Sequence, residues 1–275
     1  MPDADAARRI AADLALIASA AREAGRIALA FFGNNPRAWT KDGDSPVTEA
    51  DIAADRYLRE TLLAARPHYG WLSEETADTP ERLGKARLFI VDPIDGTRGF
   101  MAGNIDWCVS VAVVEDGRPY AAALFAPARE ELFGAVEGGA VLLNDRPVAV
   151  SVADRAGAHR FSGPARHMRA LQAAGFPIAD RLVTPSLAYR LALVAAGRLD
   201  IATAAPDARD WDLAAADLLV HEAGGTLRDA ADGLVRYNRA DPRHPALIAA
   251  SERLVAEAIG PVAHAEAAAD LLRHP

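Results

Sequence analysis

Apolar residues recur at intervals of three and four from about Ala6 to Phe32, through Ile10, Leu14, Ile17, Ala21 and Ala24. That spacing predicts an amphipathic helix, ended by Gly33-Asn34-Asn35-Pro36. The polar, turn-rich run Lys41-Asp42-Gly43-Asp44-Ser45-Pro46-Val47 follows, and it suits either a mobile loop over a site or a plain connector. Thr48, with Asp51 three residues on, predicts a capping box that opens a second helix through about Ala65.

The period then changes. Pro67 to Leu72 reads as a loop and short strand leading into Ser73-Glu74-Glu75-Thr76, and Leu88-Phe89-Ile90-Val91 as a buried strand that stops at Asp92. Trp107 to Val114, Tyr120 to Ala126, Glu131 to Val136 and Ala140 to Leu143 predict an antiparallel meander, with turns at Glu115-Asp116-Gly117-Arg118 and Asn144-Asp145-Arg146-Pro147. Beyond a boundary near Val152, helices (Pro164 to Ala174, Ser186 to Ala196, Trp211 to Glu222) alternate with strands (Arg181 to Thr184, Leu199 to Ala204, Thr226 to Arg228, Pro245 to Ala250). Two further helices are expected at Glu252 to Ile259 and Pro261 to Arg273. The pattern predicts a layered α+β or α/β sandwich of two closely packed subdomains, residues 1–152 and 153–275.

A chain of 275 residues with ordinary globular composition buries a large core. The formal charge of −8 argues against a nucleic-acid polymer as partner, since phosphate backbones are held mainly by Lys and Arg. Cys108, the only cysteine, excludes an intrachain disulfide and a thiolate metal cluster, which fits a cytoplasmic protein. No apolar run reaches membrane-spanning length.

Candidate chemistry gathers at Asp92-Pro93-Ile94-Asp95-Gly96-Thr97. Pro93 biases Asp92 toward an extended backbone, Gly96 permits close approach of a ligand, and Thr97 opens a short helix with free N–H groups. Hard oxygen ligands beside such a helix start point to Mg²⁺ and phosphate. Local turn chemistry accounts for the same residues equally well, and capping accounts for Asp51 and Asp212. Likewise, Glu74 and Glu75 suit a solvated strand end.

Asp51, Glu74-Glu75, the Asp92-to-Thr97 run, Trp211-Asp212 and, after eleven intervening residues, Gly224-Gly225 together resemble the signature of the inositol monophosphatase superfamily, Mg²⁺-dependent and typically lithium-sensitive phosphomonoesterases. The resemblance runs from Lys41 to the glycine pair and implies that family's layered fold, often dimeric. It implies that Glu74, Asp92 and the Ile94 carbonyl hold one Mg²⁺ and that Asp92, Asp95 and Asp212 hold a second, with Glu74 reaching a third through water. It further implies that Thr97 orients the attacking water while Asp51 accepts the Thr97 hydroxyl proton, that Gly96 and Thr97 N–H groups bind phosphate, and that Lys41 sits over it. Carboxylates this crowded repel one another without cations, so metal binding is expected to organise the site.

The small phosphorylated substrate is less sharply marked. Inositol phosphatases of the family place a carboxylate seven residues before the Trp-Asp aspartate, where this chain has Ala205. Pro185-Ser186-Leu187-Ala188, Asp210 to Ala216, and Arg236-Tyr237-Asn238 with Asp241-Pro242 are similar to the bacterial 3'(2'),5'-bisphosphate nucleotidases. Arg166, Arg190, Arg209, Arg236 and Arg239 are candidates for a second phosphate. The expectation is removal of the 3'-phosphate of 3'-phosphoadenosine 5'-phosphate, with inositol 1-phosphate or histidinol phosphate as alternatives. A regulatory binding role in the transcription or translation machinery is the alternative of another class.

Overall fold

The structure, a computed structural model, describes residues 4–41, 45–151 and 157–273. Asp42 to Asp44 of the polar run and the boundary at residue 152 lie outside the described residues. The chain begins with α1 (Ala4–Leu29), a hairpin of β1 (Ala38–Lys41) and β2 (Ser45–Thr48), and α2 (Glu49–Ala65). Then come β3 (Gly70–Ser73), β4 (Arg87–Asp95), α3 (Thr97–Met101), β5 (Cys108–Glu115), β6 (Arg118–Ala126), β7 (Glu131–Val136), β8 (Val141–Leu143) and β9 (Arg146–Val148). These last seven strands form one sheet in chain order, antiparallel from β4 onward, with β3 parallel to β4 at its edge.

Strand alternation sorts β4 between two cores. Phe89 and Val91 pack with Ile17, Ala24, Leu58 and Leu62 of α1 and α2. Leu88 and Ile90 face the other way, toward helices of the second half. Both faces are dry, which is why the sequence shows an unbroken apolar run rather than alternation.

The second half comprises β10 (Phe161–Ser162), α4 (Ala165–Ala173), β11 (Arg181–Leu182), α5 (Leu187–Ala195), β12 (Ile201–Ala204), β13 (Ala208–Arg209) and α6 (Asp210–Glu222). It ends with β14 (Gly225–Asp229), β15 (Arg243–His244), β16 (Leu247–Ser251) and α7 (Glu252–Arg273). Five strands make the second sheet, ordered β11-β10-β12-β16-β14, while β13 and β15 pair separately. Tyr189 and Leu191 of α5 and Leu213, Leu218 and Leu219 of α6 share one core with Leu88, Ile90 and Leu124 below and Ala202, Leu227 and Leu247 above. Phe161, Ile201 and Ile248 pack on the far side against Leu171, Leu254 and Val262 of α4 and α7. The layers are therefore helix, sheet, helix, sheet, helix, a layered α/β sandwich.

Three expectations are corrected. The run from Lys41 to Val47 is neither loop nor plain connector where it is described, because Lys41 pairs with Ser45 and Trp39 with Val47 in a ladder. The strand expected to stop at Asp92 continues to Asp95, which pairs with Cys108 beyond an irregularity. Pro93 and Ile94 sit in that bulge, so the missing proline N–H costs the ladder nothing. The two C-terminal helices are one, with Pro261 inside it. Buried Ala258 and Val262 pack on either side of the proline and hold the helix through it. Among the described residues no helix is long and apolar enough to cross a membrane.

Candidate active site

The parallel pairing of β3 and β4 sets Ser73 opposite Val91, and the Glu74 N–H then donates to the Val91 carbonyl at 3.2 Å. This places Glu74 and Asp92, eighteen positions apart, side by side at the same end of one sheet. Asp92 Oδ1 accepts from the Ile94 N–H at 3.0 Å, which fixes the turn after the strand. Gly96 follows with φ of 97°, a left-handed conformation. A Cβ there would lie 3.2 Å from the Ser186 backbone, so the residue is glycine for both torsional and steric reasons.

Asp95 is held from the second half of the chain. Its Oδ2 accepts from the Ala188 N–H at 2.6 Å and from the Ser186 hydroxyl, which also caps α5 by accepting from the Tyr189 N–H at 3.0 Å. Asp212, in the first turn of α6, accepts from the Arg209 N–H at 2.7 Å. Carboxylate oxygens of Asp92, Asp95 and Asp212 converge within 4.8 Å of one another.

Burial and mutual repulsion act on this trio. Asp92 is pushed well above the usual carboxylate range, first by burial and then by the charges of Glu74, Asp95 and Asp212. For Asp212 the order is desolvation and then Asp95. Burial raises Asp95 to about 6 even though Ser186 and Ala188 donate to it. Asp92 Oδ2 is buried and meets no hydrogen-bond partner among the described residues. An orphaned anionic oxygen among hard oxygen donors fits a divalent cation of the Mg²⁺ type.

Thr97 stands beside this cluster. Its hydroxyl lies 3.0 Å from the Ile94 carbonyl and 3.2 Å from Asp51 Oδ1, and its single proton serves one acceptor at a time. Asp51 is fully buried, and burial raises it to about 6 against hydrogen bonds from Thr48 and Thr97. The expected capping box is present, with Asp51 Oδ2 accepting from the Thr48 N–H at 2.8 Å while Oδ1 is left for Thr97. One carboxylate thus caps α2 and orients Thr97.

A cavity of about 900 Å³ opens in front of the cluster, lined by Trp39, Lys41, Glu74, Arg98, Asp207, Arg209, Trp211 and Asp212 among others. The Glu74 carboxylate is outside the three-oxygen group and turns toward Lys41, whose Nζ lies 3.4 Å from it and 2.7 Å from Glu75 Oε1. Burial raises Glu75 to about 7, against its bond from Lys41.

The candidate arginines separate. Arg209 lines the cavity, with its guanidinium 6.0 Å from the Trp211 ring centroid. Arg190 donates to the Thr203 and Thr184 carbonyls, both at 2.9 Å, and lines a neighbouring cavity of about 430 Å³ with Arg181 and Ala205. Arg236 donates to the Asp116 carbonyl at the far end of β5 from Cys108, about 24 Å along an eight-residue strand, so the structure does not bring it to the cluster. Arg166 is paired with Glu266, and Arg239 donates to the Arg243 carbonyl. Sequence reasoning missed Arg98 in the cavity wall and the grip of Ser186 on Asp95. Trp211, partly packed against the core, also lines the cavity. The helix-capping pattern at Ser186 was the one local signal for its position.

The sequence pattern described as the inositol monophosphatase family matches residues 11–272. The chain is 37% identical over 196 residues to the inositol-1-monophosphatase of Rhizobium meliloti, covering 68% of this chain and 73% of that one. It is 38% identical over 231 residues to the histidinol-phosphatase of Mycobacterium tuberculosis, covering 78% and 86%. The crystal structure of extragenic suppressor protein suhB from Bartonella henselae superposes with a TM-score of 0.80 at 29% identity, over 91% of this chain and 98% of that one.

Proposed function

The chain belongs to the inositol monophosphatase family, and from that premise we propose that it is a Mg²⁺-dependent phosphomonoester hydrolase removing the 3'-phosphate of 3'-phosphoadenosine 5'-phosphate. The observation that carries the hydrolase reading is the convergence of Asp92, Asp95 and Asp212 within 4.8 Å, with Asp212 also lining the cavity. Supporting the bisphosphate are three cationic side chains in the same wall, Lys41, Arg98 and Arg209, and the apolar Ala205 where a polyol-recognising carboxylate would be expected.

In this reading Asp92, Asp95 and Asp212, with Glu74 and the Ile94 carbonyl, hold two or three Mg²⁺ ions. When bound, these supply charge neutralisation at the ester and a more acidic water. Thr97 holds the attacking water through its hydroxyl oxygen, and the Thr97 proton is directed to Asp51 Oδ1. The N–H groups of Gly96 and Thr97, which precede any intrahelical acceptor, bind phosphate oxygens. Lys41, which pairs with Glu74 and Glu75, would turn from them to meet the substrate phosphate. Residues 1–152 and 153–275 act as two subdomains meeting at Asp212, in a lithium-sensitive cytoplasmic homodimer.

Phosphate release with Mg²⁺ tests the proposal, comparing the adenosine bisphosphate, inositol 1-phosphate and histidinol phosphate, each with and without lithium. A kcat/KM at least ~10²-fold higher for the bisphosphate is expected. Preference for either other ester overturns the substrate, and absence of turnover on all three overturns the hydrolase. Histidinol phosphate is the second reading, favoured by the relative at 38% identity that carries its name.

A further inference from the structure

Two indole rings in the cavity wall have no part in the hydrolysis described above. Trp39 is 47% exposed, a large apolar surface left in water at the mouth of a polar site. Its orientation follows from the β1 ladder. Residues 39 and 41 lie on the same face of the strand, and Lys41 reaches Glu74 and Glu75, so that face looks into the cleft. Trp211 enters from the other half of the chain, immediately before Asp212 and beneath the Arg209 guanidinium. The hairpin and α6 thus bring an indole each to one cavity of about 900 Å³ beside the carboxylate cluster.

Asp212 belongs both to the carboxylate cluster and to the cavity lining, so a phosphoester held at the cluster through its cations would have this cavity beside its leaving group. A polyol ring presents hydroxyls in all directions and needs acceptors around it, whereas indole faces offer none. A flat heterocycle presents two π faces and a polar edge, which matches two indole rings and the Asp207 carboxylate in the same cavity lining. We infer that Trp39 and Trp211 form a stacking site for a planar aromatic ring on the leaving group, with Trp39 as a specificity-determining residue for nucleobase-bearing esters. The inference rests on the hydrolase reading and narrows its substrate class.

The test uses the full chain with Mg²⁺ and compares wild type with Trp39→Ala and Trp39→Phe. One readout is the ratio of kcat/KM for adenosine 3'-monophosphate to that for glycerol 2-phosphate; another is the calorimetric Kd for AMP against that for glycerol 3-phosphate. Trp39→Ala is expected to lower both preferences about tenfold, the size that base stacking commonly has, and Trp39→Phe to restore most of each. Unchanged preferences in Trp39→Ala, or equal losses for the aromatic and aliphatic ligands, overturn the inference. The binding arm decides it even if neither ester is hydrolysed, an outcome that would count against the hydrolase reading alone. Because Trp39 lies at the surface, unaltered thermal unfolding of both variants is expected and shows that the fold is not what the ratio reports.

Discussion

At the scale of single residues, the site depends on side chains with two tasks each. Asp95 belongs to the carboxylate cluster, and its Oδ2 also accepts from Ser186 and Ala188. Asp95→Asn keeps the volume and removes the charge, and kcat should fall by at least ~10²-fold, measured as phosphate release at saturating Mg²⁺. Gly96→Ala meets both the left-handed φ and the Ser186 backbone at 3.2 Å. Urea unfolding should show a loss of about 2 kcal/mol, most of it torsional. Asp92, Asp95, Gly96 and Thr97 were legible because their turn writes its requirements into adjacent positions. The bond from Ser186 to Asp95 spans 91 positions and leaves no local mark beyond a capping serine. Arg236 illustrates the converse, since its sequence neighbourhood is suggestive but β5 carries its partner to the far end of the sheet.

Elements show why some boundaries were readable and others were not. The α2 cap and the meander turns follow from short-range chemistry, and Asn144 and Asp145 take the positive φ that such turns require. Pro261 signalled a break that tertiary packing overrides, because a single missing N–H is a smaller cost than unpacking α7 from β16 and α4. Packing of the second sheet also relies on one ion pair. Arg160, before β10, donates to Asp200, before β12, through its backbone N–H at 2.8 Å and its guanidinium at 2.7 and 3.0 Å. Burial alone would raise the Asp200 carboxyl, but these donors outweigh it and hold it at about 2. A carboxyl depressed in the folded state adds stability above its unfolded pKa of about 4, lost as pH falls through the folded value. Arg160→Ala should therefore cost most at pH ~6, and the gap to wild type in urea midpoint should narrow steadily below pH ~4. A gap independent of pH would remove the pair from the account.

Across the whole molecule, five layers bring the carboxylates of β4 and α6, with Glu74 at the end of β3 beside them, to one point, and their repulsion opposes the fold that assembles them. Stability and metal occupancy are then coupled: Mg²⁺ at a hundred times its Kd should add ~2.7 kcal/mol, seen as a higher Tm that chelation reverses. Asp92→Asn should raise the metal-free Tm and reduce the rise on adding Mg²⁺, since Oδ1 can still accept from Ile94 while the charge is gone. A metal-free variant no more stable than wild type would show that the repulsion is relaxed elsewhere. The layer order was legible because each core face repeats with its own period. The docking of α6, which carries Asp212 across to Asp92, is set by contacts between distant segments and was reachable only through resemblance.

The lone thiol of the chain turns this coupling into something that can be timed. Cys108 is fully buried at the edge of β5, paired with Asp95 across the ladder and 3.5 Å from the Ser186 hydroxyl that holds the same aspartate. An alkylating reagent can reach the sulfur only when that seam between the halves parts, so the rate of labelling counts openings of the floor of the cleft. Mg²⁺ should slow that clock in proportion to occupancy, and Ser186→Ala should quicken it, giving the enzyme a chemical stopwatch that needs neither substrate nor turnover.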